Sequence, residues 1–490
     1  MKLLKRLPLI IALLIILISE SSSQSKPITW HQFTKDLLAV SNLHLNLPLT
    51  KSALKDAKNS PISKAEALYL VIEALGLGFE AGLLQDANLI NDKELPKPII
   101  GALNLVSLIN PPLVENKRWM NPKVLRGKLD TIEAKALIER ALSLKTKGGR
   151  IRFSKRVNKD LELHWERTLN PNLYVCYAKF NPKSKSLRLE IELAGNQVQN
   201  REKLSDICKR KNAILGINGG FFKIDGEPVG ALMIDGVLIS EPTLQRGCFG
   251  WNERGKFIFG KTEWEGALES QESRLVIKID GLNRKPVGDE LILYTSFYGD
   301  YVDTKGNGTV VTVRKGGISS LRESSEREPI PNDGFIVIGY GEKGRYLSNL
   351  VIGERLAVKA FLIPEKASPI WREVRFLIQG GPTLIYDGKI TNYDENFNES
   401  LLNKKHPRTI IGETDDGNLI LMVIDGRNPN HSEGLTIEEL KMLLKNMGLK
   451  NALNLDGGGS STFYFNGRLY NIPSDGKERE ISYALILLKD

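Results

Sequence analysis

The hydrophobic period of this chain changes at residues 146–150, where TKGGR sets two glycines between charged residues, and that change restricts the fold more than any other feature. Before it, residues 28–148 read as helical. ISKAEALYLVIEAL, residues 62–75, places Ala65, Leu68, Ile72 and Leu75 at helical spacing, with Ser63 as N-cap and Glu66 closing a capping box. The pattern recurs, aligning Ile62 with Leu129, Glu66 with Glu133, Ala67 with Ala134, Leu70 with Leu137 and Leu75 with Leu142. Internal repetition of this kind implies stacked supersecondary units. After the glycines, Leu173, Val175 and Tyr177, then Leu187, Leu189, Ile191 and Leu193, alternate as strands do. Short strands and glycine turns continue to Asp490. They are broken by one helix, GLTIEELKMLLKNMG, which Thr436 and Glu439 cap, Leu440, Leu443, Leu444 and Met447 stripe, and Gly448 ends. The expected class is α+β, a mixed-sheet domain over 150–490 preceded by a small all-α domain. Residues 253–375 read as strand-rich, and the polar stretch Leu321–Asp333 reads as an exposed loop or an inserted sub-domain.

Lys2, Lys5 and Arg6 precede an apolar run from Leu7 to Ile18, and Ser21 and Ser23 supply a small-x-small cleavage pattern. Residues 1–25 therefore read as an export signal, and the run falls short of the roughly 20 apolar residues that a membrane span needs. An exported chain with no stable span after cleavage is expected. The cysteines, Cys176, Cys208 and Cys248, allow at most one disulfide. The net charge of +10, from 68 basic against 58 acidic residues, favours an anionic partner such as a phosphorylated glycan. No basic run is interleaved with aromatics, which argues against nucleic acid.

Ser63, Lys64, Ala65 and Glu66 resemble the helix-opening Thr-Arg-Ala-Glu signature of S-layer homology repeats. The second copy keeps Thr131, Glu133 and Ala134 in shifted form. The resemblance implies attachment to cell-wall polysaccharide through residues 28–148. Lys64 stands where the signature has an arginine, and the alternative is a plain helical domain.

In the second domain, strand after strand delivers polar residues into glycines. ILGINGGFF brings Asn218 to Gly219; HPRTIIGETDDGNLILMVIDGR carries Arg408, Asp425 and Arg427; a polar loop holds His431 and Glu433; and NALNLDGGGSST brings Asp456 to Gly457, Gly458, Gly459 and Ser460. Glycines there let backbone approach a ligand or simply permit a turn. Two arginines near one spot suit an anion, although each could equally pair with Asp415, Asp425 or Glu433. Arg479 precedes the strand ISYALILL and is a further residue able to point at the site.

In this order, NGGFF, PVGALMIDG, GGPTLIYDGK, PRTIIG with DGR and GLTIEEL, and LNLDGGGSST resemble the phosphodiester glycosidase family over about residues 195–488. The resemblance implies an enzyme that hydrolyses the C1–O bond of a sugar-1-phosphodiester, in the setting of wall or exopolysaccharide processing. On it, Asp456 is the nucleophile or general base and Asp425 or Glu433 the second carboxylate. Arg408 and Arg427 serve the phosphate, Asn218 and Ser460 orient sugar hydroxyls, Arg479 is a further substrate-binding residue, and Gly219, Gly457 and Gly458 bring backbone close. No cofactor is expected. Calcium or magnesium on aspartates stays open, because a phosphodiesterase cutting P–O would want a metal, although His31, His44, His164, His406 and His431 form no HxH or HxxxH pair. A wall-glycan-binding protein without activity is the remaining alternative.

Overall fold

The computed structural model describes residues 26–41 and 59–490, apart from 91, 93, 271, 305, 393 and 394. The expected export signal lies outside the described residues. The fold is mixed helix and sheet and divides into two compact units, residues 1–151 and 152–490. No helix among the described residues is long and apolar enough to cross a membrane.

The first unit contains α1 (Trp30–Ser41), α2 (Lys64–Ala74), α3 (Gly78–Leu83), α4 (Lys97–Val106) and α5 (Thr131–Lys147). Ser63 and Glu66 form the expected capping box on α2. On α5 the cap is Asp130, which closes the box with Glu133, so Glu66 and Glu133 occupy the same N3 position and the second copy is in register with the first. A third equivalent start precedes α1. Ile62 donates to the Ile28 carbonyl, Leu129 to Ile62 and Ile28 to Leu129, closing a ring of backbone hydrogen bonds at 2.9–3.0 Å. Two residues on, Lys64, Thr131 and Trp30 tie the same three segments together, donating to Gly127, Lys26 and Ser60 at 3.0–3.1 Å. At the third start Thr29 takes the cap position, its hydroxyl accepting from the Gln32 N–H at 3.3 Å.

In the second unit the strands that build the site are, in chain order, β1 (Leu161–Leu169), β2 (Leu173–Phe180), β3 (Leu187–Leu193), β4 (Leu215–Asn218), β5 (Gly247–Trp251) and β6 (Phe376–Gln379). They continue with β7 (Thr383–Tyr386), β8 (Arg408–Thr414), β9 (Leu419–Ile424), β10 (Leu449–Asn454), β11 (Phe463–Phe465) and β12 (Tyr483–Lys489). One antiparallel sheet runs β1-β2-β9-β8-β10-β7, a second runs β11-β4-β12-β3, and β5 pairs with β6 in a third. The sequence-expected helix is α6 (Ile437–Asn446). Its Ile437, Leu440 and Leu444 pack on Ile410, Ile420, Met422, Ile424 and Ala452 of the first sheet, each fully buried leucine contributing about 1.5–3 kcal/mol. That packing seats β10 beside β8, with Asn454 opposite Ile410.

Between β5 and β6 the chain builds a five-stranded sheet with its own apolar clusters around Leu293, Val311 and Val337 and around Tyr294, Val310 and Ile338. The polar stretch Leu321–Asp333 gives residues 321–323 to its edge strand and residues 327–329 to a separate two-stranded sheet. Arg327–Pro329 is a strand paired with Tyr301–Asp303, and Glu328, 1% exposed, takes Arg322 in a bidentate pair at 2.9 and 2.6 Å. All three cysteines are buried and free.

Candidate active site

Strand ends from separate sheets meet at Asp456. The Asn218 amide at the end of β4 donates to the Asp456 carbonyl at 2.7 Å and to the Gly219 carbonyl at 3.1 Å. The Asp456 N–H donates back to Gly219 at 3.3 Å. Asn218 Oδ1 accepts from Thr409 Oγ1 at 2.8 Å and from the Thr462 N–H at 3.2 Å. With both amide hydrogens and both lone pairs engaged and the residue 1% exposed, Asn218 ties the two sheets together.

The glycine turn after Asp456 is shaped around guanidinium groups. A Cβ at Gly458, whose φ is +62°, would stand 2.9 Å from Nη2 of Arg427. A Cβ at Gly459 would overlap the Arg479 guanidinium and the Asp475 carboxylate. Gly457 lies equally close to the Pro407 carbonyl, at 2.7 Å from its would-be Cβ. The bare backbone therefore lets two cations lie against it, Arg427 at Gly458 and Arg479 at Gly459.

The Asp456 carboxyl receives the Gly457 N–H at 2.9 Å and the Ser460 hydroxyl. Ser460 Oγ in turn accepts from Arg479 Nη1 at 3.4 Å. Desolvation by burial lifts its pKa to about 6, against the opposing pull of those hydrogen bonds and of the Arg479 and Arg427 charges. A carboxyl in that range exchanges a proton near neutrality, which is what acid–base work at a sugar carbon requires. Tyr483, at the start of β12, lies under Gly219 and Gly220. Burial first, with the Asp456 charge adding, pushes its hydroxyl upward, so the phenol stays protonated. Tyr483 was missed because an apolar strand explains its presence equally well.

The arginines differ in what holds them. Arg427 is exposed, has φ +62°, and donates from Nε and Nη2 to His406 Nδ1 at 3.3 and 3.2 Å. Arg408 is 2% exposed and caps carbonyls: Nε donates to Leu435 at 2.9 Å, Nη2 to Leu401 at 2.8 Å and to Lys404 at 3.1 Å. Burial, then the Arg427 charge, lowers its pKa to about 10. Among the described residues no carboxylate pairs with either, so the ion pairs with Asp415, Asp425 or Glu433 are not formed. Arg479 is paired with Asp475 at 2.9 and 2.7 Å.

The carboxylates of Asp425 and Glu433 are spent elsewhere. Asp425, 2% exposed, accepts from His431 Nε2, Asn471 Nδ2 and the Ile472 N–H at 2.8–2.9 Å. Asn471 also donates to the Ser461 carbonyl, so this buried network anchors the segment after the glycine turn. Glu433 pairs with Lys405 at 2.9 Å on the surface. Asp475, on Arg479, is the carboxylate beside the glycine turn that the sequence did not single out. Among the described residues no group of three His, Cys, Asp or Glu stands close enough to hold a metal ion.

Residues 307–488 match the family model described as phosphodiester glycosidase. That range holds Asp456, Arg427 and Arg479 and leaves out Asn218. The human N-acetylglucosamine-1-phosphodiester alpha-N-acetylglucosaminidase is 30% identical over 172 residues, 34% of this chain and 30% of that protein. The mouse enzyme is 36% identical over 106 residues, 21% of this chain and 20% of its own. An uncharacterized SPbeta prophage-derived protein of Bacillus subtilis is 44% identical over 86 residues, 18% of this chain and 13% of its own. The chain thus spans less than a third of each of these relatives. Among solved structures, a hypothetical protein from Synechocystis superposes with TM-score 0.61 at 24% identity, covering 69% of this chain and 64% of that one. A protein of Burkholderia pseudomallei described as exported gives 0.57 at 24% identity, covering 66% of this chain and 76% of that one. Both share the fold.

Proposed function

We propose that the protein is a hydrolase that cleaves the bond between the anomeric carbon of a sugar and the oxygen of a phosphodiester, releasing a free sugar and a phosphomonoester. The observation that carries this proposal is one carboxyl with a pKa near 6, Asp456, set at a glycine turn flanked by the guanidiniums of Arg427 and Arg479. Cleavage at C1 sends the electron pair of the C1–O bond to the phosphate. A phosphomonoester leaves readily, so stabilising its charge matters more than protonating it, and arginine is suited to that. Asp456 as carboxylate acts at C1, either by attacking it or by taking the proton of the attacking water. Ser460 relays the Arg479 charge to Asp456, Asn218 fixes where Asp456 stands, and Arg408 supports the loop beneath Arg427. The similarity to the phosphodiester glycosidase model supports the same chemistry.

Hydrolysis in heavy-oxygen water tests this directly. Label is expected at C1 of the released sugar; label in the phosphate would mean P–O cleavage and overturn the proposal. No metal is invoked, so turnover should survive exhaustive chelation, and loss restored by calcium or magnesium would require a metal in the scheme.

The cell-surface setting belongs to the same proposal: an exported enzyme trimming a phosphorylated wall glycan or exopolysaccharide. It is supported by the signal-like residues 1–25 and by the resemblance of Ser63–Glu66 to S-layer homology repeats. Pelleting of the protein with purified cell wall, abolished by Lys64→Ala, is the expected behaviour if the first unit attaches to polysaccharide.

A further inference from the structure

We infer that His406 is a positioning residue of the anion site, a neutral imidazole whose Nδ1 lone pair holds the Arg427 guanidinium over Gly458 without cancelling its charge. Its link to sugar phosphodiesters rests on the function proposed above; its geometry does not. Arg427 Nε and Nη2 both aim at Nδ1, at 3.3 and 3.2 Å. On the far side Nε2 lies 3.0 Å from the Ser400 carbonyl. A ring whose Nδ1 accepts and whose Nε2 faces a carbonyl must carry its proton on Nε2, so the two contacts together assign the tautomer.

The mount is built into the backbone. His406 and Leu435 exchange N–H···O hydrogen bonds, both at 3.2 Å. A Cβ at Gly434, φ +86°, would stand 2.5 Å from the His406 carbonyl oxygen, and one at Gly426 would stand 2.6 Å from the Pro407 nitrogen. The glycine before Arg427 and the glycine after Glu433 thus admit the segment that carries the ring. The groups facing the imidazole are Arg427, Arg408 and Lys404 with the Ser400 carbonyl. Burial first, then those cations, keep its pKa below the usual range, with the Ser400 contact opposing. A carboxylate in this place would grip Arg427 more strongly and neutralise it. An imidazole lone pair orients the guanidinium and leaves its charge for an incoming anion.

The test uses sulfate as probe, because its charge is constant over the working range, with calorimetric titration at pH 8 and fixed ionic strength. His406→Asn puts Oδ1 where Nδ1 was and should bind sulfate within about threefold of the parent. His406→Leu and His406→Gln, which lack an acceptor there, should lose about tenfold or more, the range for one charge-assisted hydrogen bond. With a turned-over substrate the loss should fall on KM rather than kcat. Equal sulfate affinity in parent and His406→Leu would overturn the inference, as would an Asn variant as weak as the Leu variant while unfolding at the parent's temperature. Should the variants not fold, nitrogen-15 NMR of the parent decides. The Nε2–H tautomer supports the inference, and an Nδ1–H tautomer or an imidazolium at pH 8 ends it. These outcomes are read without turnover, so a protein inert on all sugar phosphodiesters would fail the proposed function and leave this inference standing.

Discussion

Asp456 carries a cost that folding alone would avoid: its carboxyl is desolvated, and the nearby Arg427 and Arg479 charges offset only part of that. Because its pKa rises from 3.8 to about 6, the folded state holds an extra proton between those values. Stability attributable to this group is complete below pH 3.8, falls as pH rises through 6, and is then lower by on the order of 2–3 kcal/mol. Asp456→Asn removes the ionisation, so it should raise the unfolding temperature at pH 8, leave it unchanged at pH 3.5, and reduce kcat by at least about a thousandfold. Equal shifts at both pH values would contradict the raised pKa. Acting as a carboxylate, Asp456 also requires kcat/KM to climb through a pKa near 6 as pH increases; a falling limb there would recast it as a general acid. Arg479→Gln should lower that pKa limb's plateau and raise the pKa itself, since the Arg479 charge opposes the upward shift.

At the scale of elements, turns and caps divide into those that only build and those that also serve the site. Thr436, which caps α6, belongs to the first kind: Thr436→Ala should cost about 1 kcal/mol of stability and leave KM unchanged. Gly458 belongs to the second. Its φ of +62° and the 2.9 Å from its would-be Cβ to Arg427 mean that Gly458→Ala should cost about 1 kcal/mol in backbone strain and, by displacing the guanidinium, raise KM or weaken sulfate binding several-fold. A strained but fully binding variant would show that Arg427 yields without consequence. The caps on α2 and α6 were legible because a capping box is a local device four residues long. Asp130 was not, because an aspartate before Thr131 looks like part of the preceding turn until backbone hydrogen bonds fix the first helical residue.

The whole molecule divides into two compact units, so its unfolding should not be two-state. Calorimetry should resolve two transitions, with a calorimetric enthalpy exceeding the van't Hoff value. Asp456→Asn should move only one of them, and a single transition shifted as a whole would indicate that the units unfold together. The inserted five-stranded sheet shows why scale limits sequence interpretation. Leu321–Asp333 is polar, and a polar stretch reads as an exposed loop or an inserted sub-domain, yet its residues 321–323 and 327–329 run as strand, with buried Glu328 taking the half-exposed Arg322. Charge balance across a sheet is invisible until both partners are placed.

By itself the sequence determined the elements whose causes are local: the change of period at residues 146–150, the helix repeat, the capped helix α6, and strands delivering Asn218, Arg427 and Asp456 into glycines. It also carried the ordered motifs whose resemblance pointed to a sugar phosphodiester. The tertiary structure alone decided how those residues divide their work, because hydrogen-bond partners hundreds of residues apart are set by sheet register. Register turned Asn218 into a tie between sheets, sank Arg408 among carbonyls, committed Asp425 to a buried network, and brought His406 to Arg427. The glycines of the turn owe their identity to that same register, since only it determines that guanidiniums lie where side chains would otherwise be.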